Sequence, residues 1–220
     1  MEDVINLPIF SVKRLTLLSF ENKVEKYLCG YCTDFSYPEA KKFASSYEIK
    51  KSLSFSNDKR KQDFLLGRWV IKNAFKSLIS DIQLTEVSTQ DGCFGQPILT
   101  EARFGLDVSL SHNEQNSVAI VFPQNFCLGV DIENIRNRDI ANFESHVTPS
   151  ELASFLQQGF DSLTAFTLVW TIKEALSKAI KVGLQVDFSA LKIKKSFFLN
   201  NKCMISEFEY FTGFTMFTNY

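Results

Sequence analysis

Apolar residues recur at mixed three- and four-residue spacing through Phe64, Leu65, Trp69, Ile71 and Phe75, a period that predicts a helix opening near Asp58. Ser56 or Asn57 is placed to cap it, and Asp58 suits its first turn. The best-defined helix is predicted from Asp161 or Ser162 to a stop before Gly183. Its apolar stripe runs through Leu163, Phe166, Val169 and Trp170 and continues as Ile172, Ala175, Leu176 and Ala179. Ahead of it, Thr148-Pro149-Ser150-Glu151 reads as a helix start, with Thr148 as cap, Pro149 at the first position and Glu151 three residues after the cap. Leu152, Phe155 and Leu156 give that helix its apolar side, and Gly159 ends it. A further helix is expected to open at Tyr37-Pro38-Glu39-Ala40, with Phe43 and Ala44 on its apolar side.

Strands are expected at Arg14–Phe20, at the alternating run Asp107–His112, and at the continuous apolar run Ser117–Phe122. Asp91-Gly92-Cys93-Phe94-Gly95-Gln96-Pro97 is turn chemistry. Phe208, Tyr210 and Phe211, followed by Phe214, Met216 and Phe217, read as a hairpin turning near Gly213. The turn Pro123-Gln124-Asn125 marks the expected domain boundary, giving subdomains 1–122 and 126–220. Both halves read as strands, a long helix, then strands.

Leu128-Gly129-Val130-Asp131-Ile132-Glu133 follows that turn and reads as one more strand. With a period of two, Val130 and Ile132 face a core, and Asp131 and Glu133 share the other face. Two adjacent carboxylates repel, and unrelieved repulsion pushes one toward protonation. A divalent cation removes the conflict, and hard oxygen ligands suit Mg2+. From this stretch alone, two solvated acids at a strand end fit as well.

Composition narrows the field. The 220 residues are 45% hydrophobic with a net charge of -1, which points to a globular protein and gives no overall attraction to nucleic acid or an anionic membrane. Any anion site must therefore be local. The predicted Asp58 helix is locally basic, with Lys59, Arg60, Lys61, Arg68 and Lys72. Arg60, Phe64 and Arg68 share one of its faces, open either to solvent or to a phosphate. No run approaches the ~20 apolar residues of a membrane helix. The start carries Glu2 and Asp3 and no secretory pattern, so a cytoplasmic protein is expected. The five cysteines are an odd count, against a disulfide framework. Cys29-Gly30-Tyr31-Cys32 lacks the second ligand pair of a zinc site and is read as free thiols.

Three features then stand together: the turn Ser109-Leu110-Ser111-His112, the acids Asp131 and Glu133, and Trp170-Thr171-Ile172-Lys173-Glu174-Ala175-Leu176-Ser177-Lys178. The set resembles the 4'-phosphopantetheinyl transferases of the two-subdomain, surfactin-synthetase-activating type. Those enzymes carry a G-[VI]-D-x-E strand, a W-x-x-K-E-[AS]-x-x-K helix and an upstream S-H turn. Phe64-Leu65-Leu66-Gly67-Arg68 and Phe94-Gly95-Gln96-Pro97 resemble two further family segments, so the likeness spans roughly residues 58 to 184.

The resemblance implies an α+β fold of two similar α/β subdomains related by a pseudo-twofold. It also implies transfer of 4'-phosphopantetheine from coenzyme A to a serine of an apo acyl or peptidyl carrier protein, releasing 3',5'-ADP. Asp131, Glu133 and Glu174 would hold Mg2+. Lys178 would reach a diphosphate oxygen, and Glu174 would serve the proton transfer from the attacking serine. Ser111 and His112 would contact phosphates, and Arg60 and Arg68 are candidates to share the 3'-phosphate. Gln96 stands where the family usually has Lys, so coenzyme A is held there through the turn's backbone or less tightly.

The remaining readings are residue by residue. Trp170 is expected to pack and position its helix, and Ser109 to be a plain strand residue. Lys173 is open between a phosphate contact and a solvated charge, and His146 is read as surface. Arg136 and Arg138 form a basic loop that is either solvated or steers an acidic carrier. A monomer is expected, since both halves are on one chain. The rival readings are another Mg2+-dependent nucleotide phosphate enzyme and a non-catalytic coenzyme A-binding adaptor.

Overall fold

A computed structural model describes residues 5–7, 10–17, 27–34, 40–114, 116–136, 144–200, 203–209 and 215–217. The elements are helices with small antiparallel sheets, an α+β fold. By compactness the chain divides into residues 1–132 with 178–181, and residues 133–177 with 182–220.

In the first unit, β1 (Ile5–Leu7), β2 (Phe10–Leu17) and β3 (Tyr27–Asp34) precede α1 (Ser46–Leu53) and α2 (Asp58–Leu78). A small hairpin, β4 (Thr89–Asp91) and β5 (Pro97–Leu99), leads to β6 (Leu106–His112) and β7 (Ser117–Pro123). The main sheet has the order β1-β2-β3-β7-β6 with antiparallel pairs, and β7 is the strand flanked by β3 and β6. Every residue of β7 from Ser117 to Phe122 is buried, as its unbroken apolar run requires. Val70, Ile71, Ala74 and Phe75 of α2 form one core with Val108, Ala119 and Val121 of the sheet. Gly67 lets the helix approach closely, because a Cβ there would sit 2.9 Å from a methyl of Leu110.

In the second unit, α3 (Pro149–Gln157) and α4 (Ser162–Ala179) precede β8 (Ile193–Asn200), β9 (Cys203–Phe208) and β10 (Thr215–Phe217). The strands pair antiparallel in the order β10-β9-β8. Phe155, Val169, Ile172, Phe188, Leu191 and Phe208 are buried there. The last two residues of α4, Lys178 and Ala179, group with the first unit.

The two units share a buried device. In the first, Ser45 caps α1 in a capping box with Glu48, which is fully buried. Glu48 is ion-paired with Lys72 of α2 at 2.9 Å and accepts from the backbone N–H and hydroxyl of Thr89. Lys72 also donates to the carbonyl of Phe43, two residues before the cap. In the second, Thr148 caps α3 with Glu151, which is ion-paired with the fully buried Lys173 of α4 at 2.8 Å and accepts from the N–H of Ile193. Lys173 also donates to the carbonyl of His146, again two residues before the cap. Each arrangement ties a short capped helix, a long helix and a strand or its start to one carboxylate. The sequence carries the same signature twice: Trp69-Val70-Ile71-Lys72-Asn73-Ala74 and Trp170-Thr171-Ile172-Lys173-Glu174-Ala175.

Several expectations change. Leu128–Glu133 belongs to no strand. Its alternation is nonetheless kept, since Phe126, Leu128 and Val130 all pack on Ile120 and Phe122. The N–H of Val130 goes to the hydroxyl of Ser109 instead of a ladder carbonyl. That packing groups the stretch through Ile132 with the first compact unit. Of the helix expected at Tyr37-Pro38-Glu39-Ala40, the first three residues lie outside the described residues. Ala40–Phe43 is a 3-10 turn, and α1 starts only where Ser45 and Glu48 can close a capping box.

Lys173 is neither solvated nor available to phosphate, because its ammonium is spent on Glu151 and two carbonyls. His146 is half-buried and packs on Trp170 and Phe188, with ring centroids 5.3 and 5.5 Å away. Cys29 and Cys32 both lie within β3. Leu18, Ser19 and Phe20, Tyr210, Phe211, Gly213 and Phe214, and Arg138 lie outside the described residues; β9 does pair with β10.

Candidate active site

Strand β6 delivers hydroxyls with a period of two. Ser109 accepts from the N–H of Val130 at 3.1 Å and fastens the acidic stretch to the strand. Two residues on, the Ser111 hydroxyl donates to Asp131 Oδ1 at 2.7 Å. Lys178 Nζ donates to the same Oδ1 at 2.6 Å and to Ser111 Oγ at 2.9 Å, closing a triangle. The Asp131 side chain is 2% exposed and that of Lys178 22%. Asp131 Oδ2 is buried without a hydrogen-bond partner. Cys127 donates its thiol to the carbonyl of Ala179 at 2.8 Å, and Lys181 is ion-paired with Asp107. Asp131 and the residues just before it are thus tied to β6 and to the C-terminal end of α4.

His112 follows Ser111 on β6 and is exposed at its edge. Crowding of the ring by protein is the main cause of a pKa below the ordinary imidazole value; nearby Lys178 and Lys59 act the same way, while Asp63 and Asp131 oppose. The free imidazole is therefore held neutral at pH 7.

Arg60 and Arg68 form the ends of a cation–aromatic ladder. Arg60 is exposed, with its guanidinium 4.8 Å from the Phe55 ring centroid. Phe55 and Phe64 are 5.5 Å apart, and Arg68 lies 4.5 Å from the Phe64 centroid. Arg68 is buried and ion-paired with Asp91 at 2.8 Å, and Asp91 also binds Lys51. The ladder thus has one solvent-facing cation, Arg60, and one engaged internally. Gln96 turns into its own loop: its Oε1 accepts from the N–H of Phe94 at 2.9 Å, and its side chain lies over Gly92, where a Cβ would be 2.5 Å away. A lysine has no acceptor and could not close the loop this way.

In the second unit, Glu133 Oε1 accepts from Trp170 Nε1 at 3.1 Å, and the indole packs on Phe188 with centroids 5.1 Å apart. Trp170 therefore orients Glu133 as well as packing its helix. Glu174 is half-buried, one turn before Lys178 on α4. Among the described residues no three His, Cys, Asp or Glu side chains are gathered closely enough to hold a metal ion. The chemistry of Asp131 nonetheless fits one, since a hard, buried carboxylate oxygen is left without a donor.

The reading of single residues missed Ser109, which anchors the acidic stretch, and the Glu151–Lys173 pair, which holds α4. Both had a signal. Ser109 is two residues from Ser111 on the same strand face, and Lys173 recurs as Lys72 in the doubled Trp-x-Ile-Lys-x-Ala pattern.

Comparison with known proteins adds the family. Residues 127–213 match the model of the 4'-phosphopantetheinyl transferase superfamily. The chain is 26% identical over 157 residues to the 4'-phosphopantetheinyl transferase gsp of Aneurinibacillus migulanus, covering 66% of this chain and 64% of that one. It is 28% identical over 82 residues to the holo-[acyl-carrier-protein] synthase of Staphylococcus carnosus, covering 35% of this chain and 70% of that protein. The holo-[acyl-carrier-protein] synthase of Lactococcus lactis is 29% identical over 83 residues, 36% of this chain and 70% of its own length. The chain spans just under two thirds of the Aneurinibacillus protein, and the two shorter matches each cover about a third of this chain. Over residues 127–213 the chain is thus similar to the 4'-phosphopantetheinyl transferase superfamily.

Proposed function

We propose that the protein transfers 4'-phosphopantetheine from coenzyme A to the serine hydroxyl of an apo acyl or peptidyl carrier protein, with Mg2+, and releases 3',5'-ADP. The observation that carries this reading is the Ser111–Asp131–Lys178 triangle, with its buried, donor-less Asp131 Oδ2, inside a stretch that matches the transferase superfamily. Two related halves are supported by the doubled capping box and Glu–Lys pair. No helix among the described residues is long and apolar enough to cross a membrane, and the protein would act as a cytoplasmic monomer.

Asp131, Glu133 and Glu174 would hold Mg2+, which when bound supplies positive charge to the coenzyme A diphosphate. Lys178 leans on Asp131 and would contact a diphosphate oxygen, adding positive charge where negative charge grows during transfer. Trp170 holds Glu133 in place through its indole N–H. Glu174 would take the proton of the carrier serine as its oxygen forms the new bond to phosphorus. The bond from that phosphorus to the bridging diphosphate oxygen breaks, and 3',5'-ADP departs with the electron pair. His112 would meet the 3'-phosphate, and the exposed Arg60 is placed on its helix to share it. Arg68 would act through Phe64 and Asp91, keeping the ladder rigid. Gln96 would serve by holding the loop's N–H groups in position.

The test is release of 3',5'-ADP from coenzyme A with and without apo carrier. Release only when apo carrier is present is the expected result. Release without carrier would mean hydrolysis, and binding without release would mean an adaptor.

A further inference from the structure

We propose that Lys181 is a positioning residue for Lys178, and that its ion pair with Asp107 holds the Lys178 ammonium on Asp131. The proposal rests on the transfer reading above, in which Lys178 meets the diphosphate, and adds to it two residues that touch neither substrate.

Helix α4 ends in a Schellman motif. The N–H of Lys181 goes to the carbonyl of Lys178 at 3.1 Å, and that of Val182 to the carbonyl of Ser177 at 3.0 Å. Such an end needs a left-handed residue at its turning point, a place that suits glycine. Here that residue is Lys181, with a φ of 61°. Among the described residues no other non-glycine residue has a positive φ. A Cβ in this conformation crowds the carbonyl that follows, so glycine would be less strained. What glycine lacks is the ammonium. That of Lys181 is ion-paired with Asp107 Oδ2. Asp107 is oriented for the pair: its side chain is 12% exposed, and its Oδ1 accepts from the N–H of Val108 at 2.9 Å.

Asp107, Ser109 and Ser111 share one face of β6 at a period of two. Asp107 takes Lys181, Ser109 takes the N–H of Val130, and Ser111 adjoins both Asp131 and Lys178. One strand face therefore sets the position of the acidic stretch and of the turn just beyond Lys178. The Lys181 N–H bond fixes the backbone between that turn and Lys178, and the Cys127 thiol holds the carbonyl of Ala179. Releasing the turn from Asp107 moves the base of the Lys178 side chain relative to Asp131. The Lys181 side chain is half-exposed. A pair so open to water adds little stability, and the strain at Lys181 offsets that little. Its effect falls on position.

The experiment compares the wild type with Lys181→Gly, Lys181→Arg and Asp107→Asn. The Lys178 ammonium is read in proton–nitrogen spectra of the full chain and assigned by its loss in Lys178→Arg. Urea midpoints and the kinetics of transfer to apo acyl carrier proteins are measured alongside. The wild type should show the Lys178 signal, and Lys181→Arg, which keeps a cation, should stay close to it. Lys181→Gly and Asp107→Asn should shift or lose the signal. The urea midpoint of Lys181→Gly should be no lower than that of the wild type, since the strain is removed together with the pair. In both variants kcat should fall by up to about a hundredfold, the scale of an ångström's misplacement, with KM for coenzyme A changing less. A Lys178 signal absent from the wild type, or unmoved in both variants, overturns the assignment. So does a Lys181→Gly protein whose activity falls only in step with its stability. If the signals move as expected yet the wild type transfers no phosphopantetheine, the proposed reaction fails and the positioning role stands. If transfer proceeds and both variants match the wild type in kcat, the role fails and the reaction stands.

Discussion

Lys173 and Glu151 are both fully buried and lie 2.8 Å apart, on α4 and α3 of the second unit. The pair has no contact with solvent, so it is part of what holds the helix that bears Glu174. Removing one partner leaves the other charge buried and uncompensated. Lys173→Met is therefore expected to destabilise the protein by about 3–5 kcal/mol, measured as a lowered midpoint in urea. Lys72→Met should act alike, because Lys72 faces Glu48 in the same arrangement. A Lys173→Met protein as stable as the wild type would mean that the pair does not hold the unit together.

Trp170 separates packing from hydrogen bonding. Trp170→Phe keeps an aromatic ring against Phe188 but removes the donor to Glu133. A loss of about 1 kcal/mol in stability is expected, together with a higher Mg2+ requirement for transfer. An unchanged Mg2+ dependence would show that Glu133 needs no orienting.

His112 sets an expected pH dependence. Its folded-state pKa is depressed below 6.5, chiefly by crowding of the ring. In the fold its contribution to stability is therefore complete above the ordinary value and is lost as pH falls through the depressed one. A phosphate dianion beside the imidazole raises the pKa again, so binding takes up a proton near neutral pH. Coenzyme A affinity should rise as pH is lowered from 8 toward 6.5. Calorimetry in buffers of different ionisation enthalpy should detect the proton. Both effects should vanish in His112→Ala; a proton uptake that persists there would place the titrating group elsewhere.

Gln96 closes its loop through an acceptor that lysine lacks. Gln96→Lys is expected to cost up to about 1 kcal/mol, read as a shift of the thermal midpoint. No shift would mean that the Phe94 N–H is equally well satisfied by water.

Much of the fold was legible because local signals agreed with it. Thr148, Pro149 and Glu151 mark the start of α3, and that start is capped as they suggest. The apolar run Ser117–Phe122 became a strand in which each of those residues is buried. The acidic stretch was legible in its alternation but not in its pairing. A period of two describes which side chains share a face, and it holds without a ladder when a serine hydroxyl replaces a strand carbonyl, as Ser109 does. Lys173 was misread because charge in an amphipathic helix defaults to solvent. Only its distant partners, Glu151 and the Phe188 carbonyl, show that it is internal. Arg60 and Arg68 look equivalent on a helical wheel, and only the position of Asp91, beyond the end of α2, tells them apart.

The central claim is tested most directly by the intact mass of apo carrier proteins incubated with coenzyme A, Mg2+ and this protein, beside Asp131→Ala and Glu174→Gln variants of confirmed fold. The account predicts the addition of one phosphopantetheine to a carrier by the wild type and none by either variant. No mass change with any carrier, or near-normal addition by either variant, would contradict it.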